Sequence, residues 1–220
     1  MGMLSGNGCC VSEKAEAGGP HADYLDMPVS GFLAALADGT PAPGGGCAAA
    51  TTVAIGAGLC AMAARLSARQ LSTNEAAELA AGAAALQAGA AALIQADADS
   101  YQAVLAARRP ANVAADASQA DRVAAALRGA ADVPLQVLGF AAQVASLAGR
   151  LAADGNPNLR GDALTGLFLA EAGARAAATL VGINLAGAPD DDRHATARRL
   201  LQEVASSVGA WRDYPAPQPS

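Results

Sequence analysis

A carboxylate sits where an apolar side chain is due. Around the stretch "LIQADADSYQAV", residues Leu79, Ala83, Leu86, Ala90, Leu93, Asp97, Tyr101 and Val104 fall on one stripe of a helix at three- and four-residue steps. Every member except Asp97 is apolar or aromatic. Asp99 lies about 200° further round, at roughly 100° per residue, and is free to face water. Two readings of Asp97 follow. It is a structural acid satisfied by an N–H or an Arg, or it faces a pocket, where desolvation raises its pKa and nearby positive charge lowers it. In a pocket it could move protons or stand beside a developing cation.

The other residues with chemical potential are few. "PGGGCAAATT" places Gly44, Gly45 and Gly46 before a helix. Glycines let a backbone approach a ligand closely, and free N–H groups at the helix start suit an anion or a carbonyl. A β-branched residue at Gly45 is expected to block that approach. Gly44, Gly46 and Ala49 also match G-x-G-x-x-A, but a dinucleotide fold needs a strand before it, and "DGTPAP" is not one. Cys47 opens the helix, where the dipole would favour a thiolate, although a small packing residue is the commoner role. His21 and His194 are the two histidines and neither sits as a general base would, so a Ser-His-Asp or Cys-His arrangement has little support. The remaining candidates are the carboxylate Asp162 and the amides Asn156, Asn158 and Asn184.

The elements that must position these groups read as helices throughout. Pro28 to Ala37 is a short helix stopped by Asp38-Gly39. A second runs from about Gly46 to Leu66; it is apolar all round, which marks a central, enclosed helix. Ser72-Thr73-Asn74-Glu75 is a capping box, and the long helix after it ends at Arg109 before Pro110. The next helical stretch, Gln119 to Ala153, contains Val133-Pro134 and should break or kink there. Gly155 is a C-cap candidate, "GNPN" a tight loop, and Leu159 to Leu185 another helix. "GAPDDDRHATARRL" opens a last helix with acids in its first turn. The expected organisation is a flexible leader over 1–26, one helical domain over 27–212 and a disordered tail over 213–220. The fold class is all-α, a multihelical bundle around a buried central helix with no sheet.

Composition bounds the function. Of 220 residues 53% are hydrophobic but 3% aromatic, so the core is mostly Ala, Leu and Val, which favours closely packed helices over strands. A net charge of −6 with no basic cluster argues against a nucleic-acid partner. Every basic residue but Lys14 is Arg, so the folded part offers no catalytic lysine. Cys9, Cys10, Cys47 and Cys60 have neither metal-ligand spacing nor a disulfide framework, which fits a reducing cytoplasm. The leader lacks the apolar core of a signal peptide, and Gly6 breaks a myristoylation pattern. The uncharged run Cys47 to Ala64 is nearly membrane length. Its Ala, Gly and Thr content reads as a buried helix and not a membrane span.

Taken together, "TPAPGGGCAAA", "ADADSYQAVLAARRP", "VPL", "GNPNLRGDA" and "INL", in this order and spacing, resemble the formiminotetrahydrofolate cyclodeaminase / methenyltetrahydrofolate cyclohydrolase family. The resemblance runs from about Met27 to Pro189. It implies a small all-helical homodimer with a folate-type pocket lined by Gly44, Gly45, Gly46 and Cys47, with Asp97 as the acid/base. Asp162 is implied as the second carboxylate, with Asn156, Asn158, Asn184 and Arg65 toward substrate. It also implies a folate substrate with no metal and no redox cofactor.

The chain departs from the family pattern at three places. Cys47 replaces a Ser after the glycines, "ARQLSTN" replaces a basic-aromatic stretch, and Leu180-Val181-Gly182 replaces Asn-Val-Arg. A polyglutamylated folate would want positive charge, which Arg65, Arg69, Arg108 and Arg160 could supply. Two further readings stand beside the folate enzyme: an enzyme on the same scaffold with a non-folate substrate, performing ring closure or amine elimination, and a non-catalytic helical binding protein.

Overall fold

A computed structural model describes residues 23–109 and 117–214. The described residues hold seven α-helices and a short 3-10 turn, with no strand. The helices are α1 (Val29–Ala37), α2 (Gly45–Arg65), α3 (Thr73–Arg108), α4 (Ala117–Ala130), α5 (Asp132–Asp154), α6 (Arg160–Asn184) and α7 (Arg193–Gly209), and the turn is Pro157–Leu159. The chain is therefore the all-α bundle expected. Residues 110–116, most of the leader and all but the start of the tail lie outside the described residues. Of the leader, Tyr24 is described: its ring packs edge-on against Phe32 of α1 at 6.1 Å between centroids.

The long helix forms as its cap signals require. Ser72 accepts from the Glu75 N–H at 3.2 Å, and α3 then runs for 36 residues, about 54 Å at 1.5 Å per residue. Along the expected seam Ala83, Ala90, Leu93 and Val104 are buried and Leu79, Leu86 and Asp97 half-buried, while Tyr101 is 39% exposed, so the stripe opens to solvent beyond Asp97; Asp99 is exposed as expected.

α2 is the centre of the bundle and packs on α3, α5 and α6. Its contact with antiparallel α6 is close because both helices carry glycine. A Cβ at Gly56 would lie 2.9 Å from the Gly166 carbonyl, and one at Gly166 would lie 3.0 Å from the Gly56 carbonyl. Such approach turns many small Ala–Ala contacts into dispersion energy, each of them tiny.

α2 is not enclosed on every side, however. Ile55 is 53% exposed, and Ala48, Thr51, Thr52, Leu59 and Met62 along the same face are half-buried. The periodicity misled because an apolar surface can meet something outside the chain as well as inside it. By length and composition α2 also reaches the range of a membrane span, with mean hydropathy 1.8, and so do three other helical stretches. The composition reading of α2 as too weakly hydrophobic to span thus does not hold. What 61% of its window meets in the fold is protein.

Three local readings change. The break at Val133-Pro134 falls at Ala131, between α4 and α5. Pro134 has no N–H to give the Ala130 carbonyl, and the Asn184 side chain of α6 donates to it instead, at 2.9 Å. Gly155 does cap α5, but with φ −78° and not in the left-handed region. Its small size serves a close approach, since a Cβ would meet the Leu151 carbonyl at 2.5 Å and Ser67 Oγ at 3.0 Å. The acids Asp190, Asp191 and Asp192 precede α7 and do not occupy its first turn. Asp191 accepts from the Arg193 N–H at 3.0 Å, and the Arg193 guanidinium pairs with Asp191 and Asp132.

Candidate active site

Asp97 reaches the N-terminus of α2. The two helices approach so closely there that a Cβ on Gly46 would fall 2.5 Å from Asp97 Oδ2, with Oδ1 and Cγ nearer still. Gly46 is thus the glycine the site requires. Gly45 makes no such contact: a Cβ there meets nothing of the protein within 4 Å, and the residue lines the open cleft, where a larger side chain would meet a ligand and not the fold.

The partner of Asp97 is Cys47. Its Sγ lies 3.3 Å from Asp97 Oδ2 and 3.2 Å from the Ile94 carbonyl oxygen. Burial pushes the Asp97 carboxyl above the usual carboxylate range, while the Cys47 thiol and backbone N–H pull it back. The thiol itself is pushed up to about 12, first by burial and then by the adjacent carboxylate, which outweigh the backbone hydrogen bond from Gly44. A helix-start thiolate is therefore overruled: Cys47 is fully buried and stays protonated, a donor and not a nucleophile. Among the described residues no Arg pairs with Asp97, while the Cys47 backbone N–H at the start of α2 does reach it, so of the two partners a structural acid could use only the N–H is present.

Asp97 opens on a cleft of about 300 Å³ lined by Gly44, Gly45, Gly46, Ser100, Tyr101 and Asn184, with Pro41, Ala42, Ala98, Ala130, Leu180 and Ile183 as apolar walls. Among the described residues that line it, Asp97 is the one that carries charge. A tuned carboxylate among small apolar and neutral polar groups can take up a proton, return it, and stabilise a neighbouring planar cation without competing anions.

The expected residues divide between two ends of the molecule. Gly44, Gly45, Gly46, Cys47, Asp97 and Asn184 come together. Arg65, Asn156, Asn158 and Asp162 do not join them within one chain. Asn156 donates from Nδ2 to the Leu66 carbonyl at 3.1 Å and receives the Asn158 N–H, while its own N–H donates to Ser67 Oγ. That tie fixes the "GNPN" loop to the C-terminal end of α2, about 30 Å from Gly45 along a 21-residue helix. Arg160, a candidate for an anionic tail, donates to the Ala152 carbonyl and the Tyr214 hydroxyl.

Sequence reasoning missed Tyr101 as a wall of the cleft, although it stands one turn beyond Asp97 on the same stripe. Ile183 is the first residue of the quoted "INL" and Leu180 stands three residues, nearly one turn, before it, so both could have been found through that motif. Ala130 had no local signal, because its place depends on the α4–α5 break.

Comparison with known proteins agrees with this architecture. A family model described as formiminotransferase-cyclodeaminase matches residues 28–203. A methenyltetrahydrofolate cyclohydrolase of Methylorubrum extorquens is 33% identical over 190 residues, covering 83% of this chain and 90% of that protein. The crystal structure of a formiminotetrahydrofolate cyclodeaminase from Thermotoga maritima superposes with a TM-score of 0.72 at 22% identity, covering 84% of this chain and 92% of that one, a likeness of fold. The family match spans most of the bundle and includes α2, Asp97 and Asn184, so the chain belongs to the formiminotransferase-cyclodeaminase family.

Proposed function

We propose that the chain is a folate one-carbon enzyme that hydrolyses the methenyl bridge of 5,10-methenyltetrahydrofolate to 10-formyltetrahydrofolate. The observation that carries this reading is Asp97: a desolvated carboxylate, alone in charge, clamped against the start of α2 in an uncharged cleft. The curated relative at 33% identity, named a methenyltetrahydrofolate cyclohydrolase, favours this reaction. In it, water adds to the cationic methenyl carbon while Asp97 takes one of its protons. The C–N5 bond then breaks, N5 receives the proton from Asp97, and the hydroxyl proton leaves to solvent as the formyl C=O forms. The raised pKa suits both directions of transfer, because a carboxyl held nearer neutrality gives up and regains a proton at similar cost.

The family description favours a second reading, a lyase that closes 5-formiminotetrahydrofolate with loss of ammonia. There Asp97 would accept the N10 proton as N10 attacks the formimino carbon, then protonate the departing amine. Purified protein given each substrate in turn separates the two: one product route consumes the methenyl chromophore, the other creates it and releases ammonia. Neither conversion above the uncatalysed rate would overturn the reading.

The open face of α2 supports a homodimer. Thr51 and Thr52 return their hydroxyls to the Cys47 and Ala48 carbonyls, leaving no unmet polar group on that face. Ile55 lies midway between Gly45 and Arg65 and is 53% exposed, an apolar side chain at the centre of that face. Two copies related by a two-fold near Ile55 would run antiparallel, bringing the Arg65 and "GNPN" end of one toward the Asp97 cleft of the other. The free thiols of Cys47 and Cys60 fit action in a reducing cytoplasm.

A further inference from the structure

Cys47 Sγ stands within reach of two acceptors, Asp97 Oδ2 at 3.3 Å and the Ile94 carbonyl at 3.2 Å, and one S–H can serve only one of them at a time. We infer that Cys47 is a positioning residue whose thiol turns to Oδ2 while Asp97 is a carboxylate and to the Ile94 carbonyl once Asp97 carries a proton. The geometry allows this because Sγ is fixed: Cys47 is fully buried on the first turn of α2, and Gly46 beside it admits the carboxylate. A permanent donor such as an Arg would hold Asp97 ionised and oppose proton uptake. A donor that can leave without becoming unsatisfied does not. The thiol never needs to ionise.

The groups around Asp97 leave this contact in control. From α3, Asp99 is exposed and accepts from Gln95 at 2.9 Å, and Tyr101 stands at the cleft. From α2 comes Cys47. From α4 and α6 come Ala130, Leu180, Ile183 and Asn184, all uncharged. Before α1 lies Tyr24, whose phenol is itself pushed up by burial, Cys47 and Asp99. Among the described residues no cation lines the cleft.

The inference rests on Asp97 as the proton-handling group, so its test reads Asp97 directly. The side-chain carboxyl carbon of Asp97, assigned by its loss in Asp97→Asn, is followed by NMR against pH in the wild type, Cys47→Ser and Cys47→Ala. The acid limb of kcat/KM is measured beside it. A hydroxyl donates more strongly than a thiol, and Ala donates nothing. The midpoints should therefore rise in the order Cys47→Ser, wild type, Cys47→Ala, with Ala about 0.5–1 pH unit above wild type. The acid limb should move the same way, because Asp97 works from its ionised form. A purely packing role would leave the midpoints together, and coincident midpoints, or Ser above wild type, overturn the inference. If Cys47→Ala does not fold, Cys47→Ser against wild type still decides. The predicted order in NMR without folate turnover would sustain the inference and defeat the proposed reaction instead.

Discussion

Gly46→Ala puts the site to its most direct structural test. The new Cβ would fall 2.5 Å from Asp97 Oδ2, and ordinary van der Waals contact begins at 3.4 Å, so the carboxylate must retreat by about 0.9 Å, and Oδ1 by more. The methyl meets the end of a short side chain, not a fixed backbone, so Asp97 yields before the helices do. Stability should fall by no more than about 1–2 kcal/mol, since overpacking is offset in part by the better helix propensity of Ala. Turnover should suffer far more, because a displacement near 1 Å at the reacting group costs on the order of 10²-fold. The contact with Cys47 Sγ at 3.3 Å would be broken by the same movement. Gly45→Ala is the control: its Cβ has open space, so the fold and most of the activity should survive. The assay is kcat/KM on 5,10-methenyltetrahydrofolate together with thermal melting of both variants. A Gly46→Ala protein with wild-type kcat/KM would refute the reasoning, since Asp97 could then work from elsewhere.

Asp97→Asn should lower turnover by roughly 10²–10⁴, the range for a positioned general acid/base. Its stability follows from the raised pKa: the folded state binds the proton more tightly than the unfolded chain, so stability is fully present below the unfolded pKa and declines as pH rises through the folded one. Asp97→Asn should therefore melt no lower than wild type at neutral pH, and its advantage should vanish in acid; a large drop in Tm at pH 7 would contradict this. If the chain pairs as proposed, Ile55→Glu should yield a monomer where the wild type sediments as a dimer; equal masses for the two proteins would rule out the α2 face as the interface. Asn184→Ala should cost about 1 kcal/mol by orphaning the Ala130 carbonyl, and much less in a Pro134→Ala background, where an N–H is restored. A double-mutant cycle with no coupling would discount that account.

Much of the bundle was legible because its signals are local. The Ser72 cap, the break near Pro134 and the stripe through Asp97 each act within a few residues and appear close to where the sequence places them, although the break lies at Ala131, Glu75 pairs with Arg150 instead of closing the box, and Tyr101 on the stripe is exposed. Two kinds of feature were not. The identity of the critical glycine depends on which Cα faces α3, a choice between Gly45 and Gly46 that sequence spacing cannot make. The separation of the "GNPN" loop from Asp97 depends on α2 being spanned end to end, with Asn156 tied to its far end through Leu66 and Ser67. Motifs adjacent in a family pattern need not be adjacent in one chain.

The thiolate option for Cys47, the less common of its two roles, fails for a different reason, and that reason bears on how the cleft works. A thiol at a helix start gains from the dipole, but that gain is modest and screened, while burial beside a carboxylate opposes ionisation twice over. The sequence shows the first effect and hides the second, because Asp97 is fifty residues away. Once both are counted, the proton stays on sulfur and the negative charge stays on Asp97. Among the described residues no cation lines the cleft to offset that charge. A ligand carrying positive charge on a flat, weakly hydrated framework would relieve it on binding, and the charge would then be lost from the ligand as water adds to it. The carboxylate is thus better matched to a methenyl-type cation than to the neutral product, which favours release at the end of the reaction.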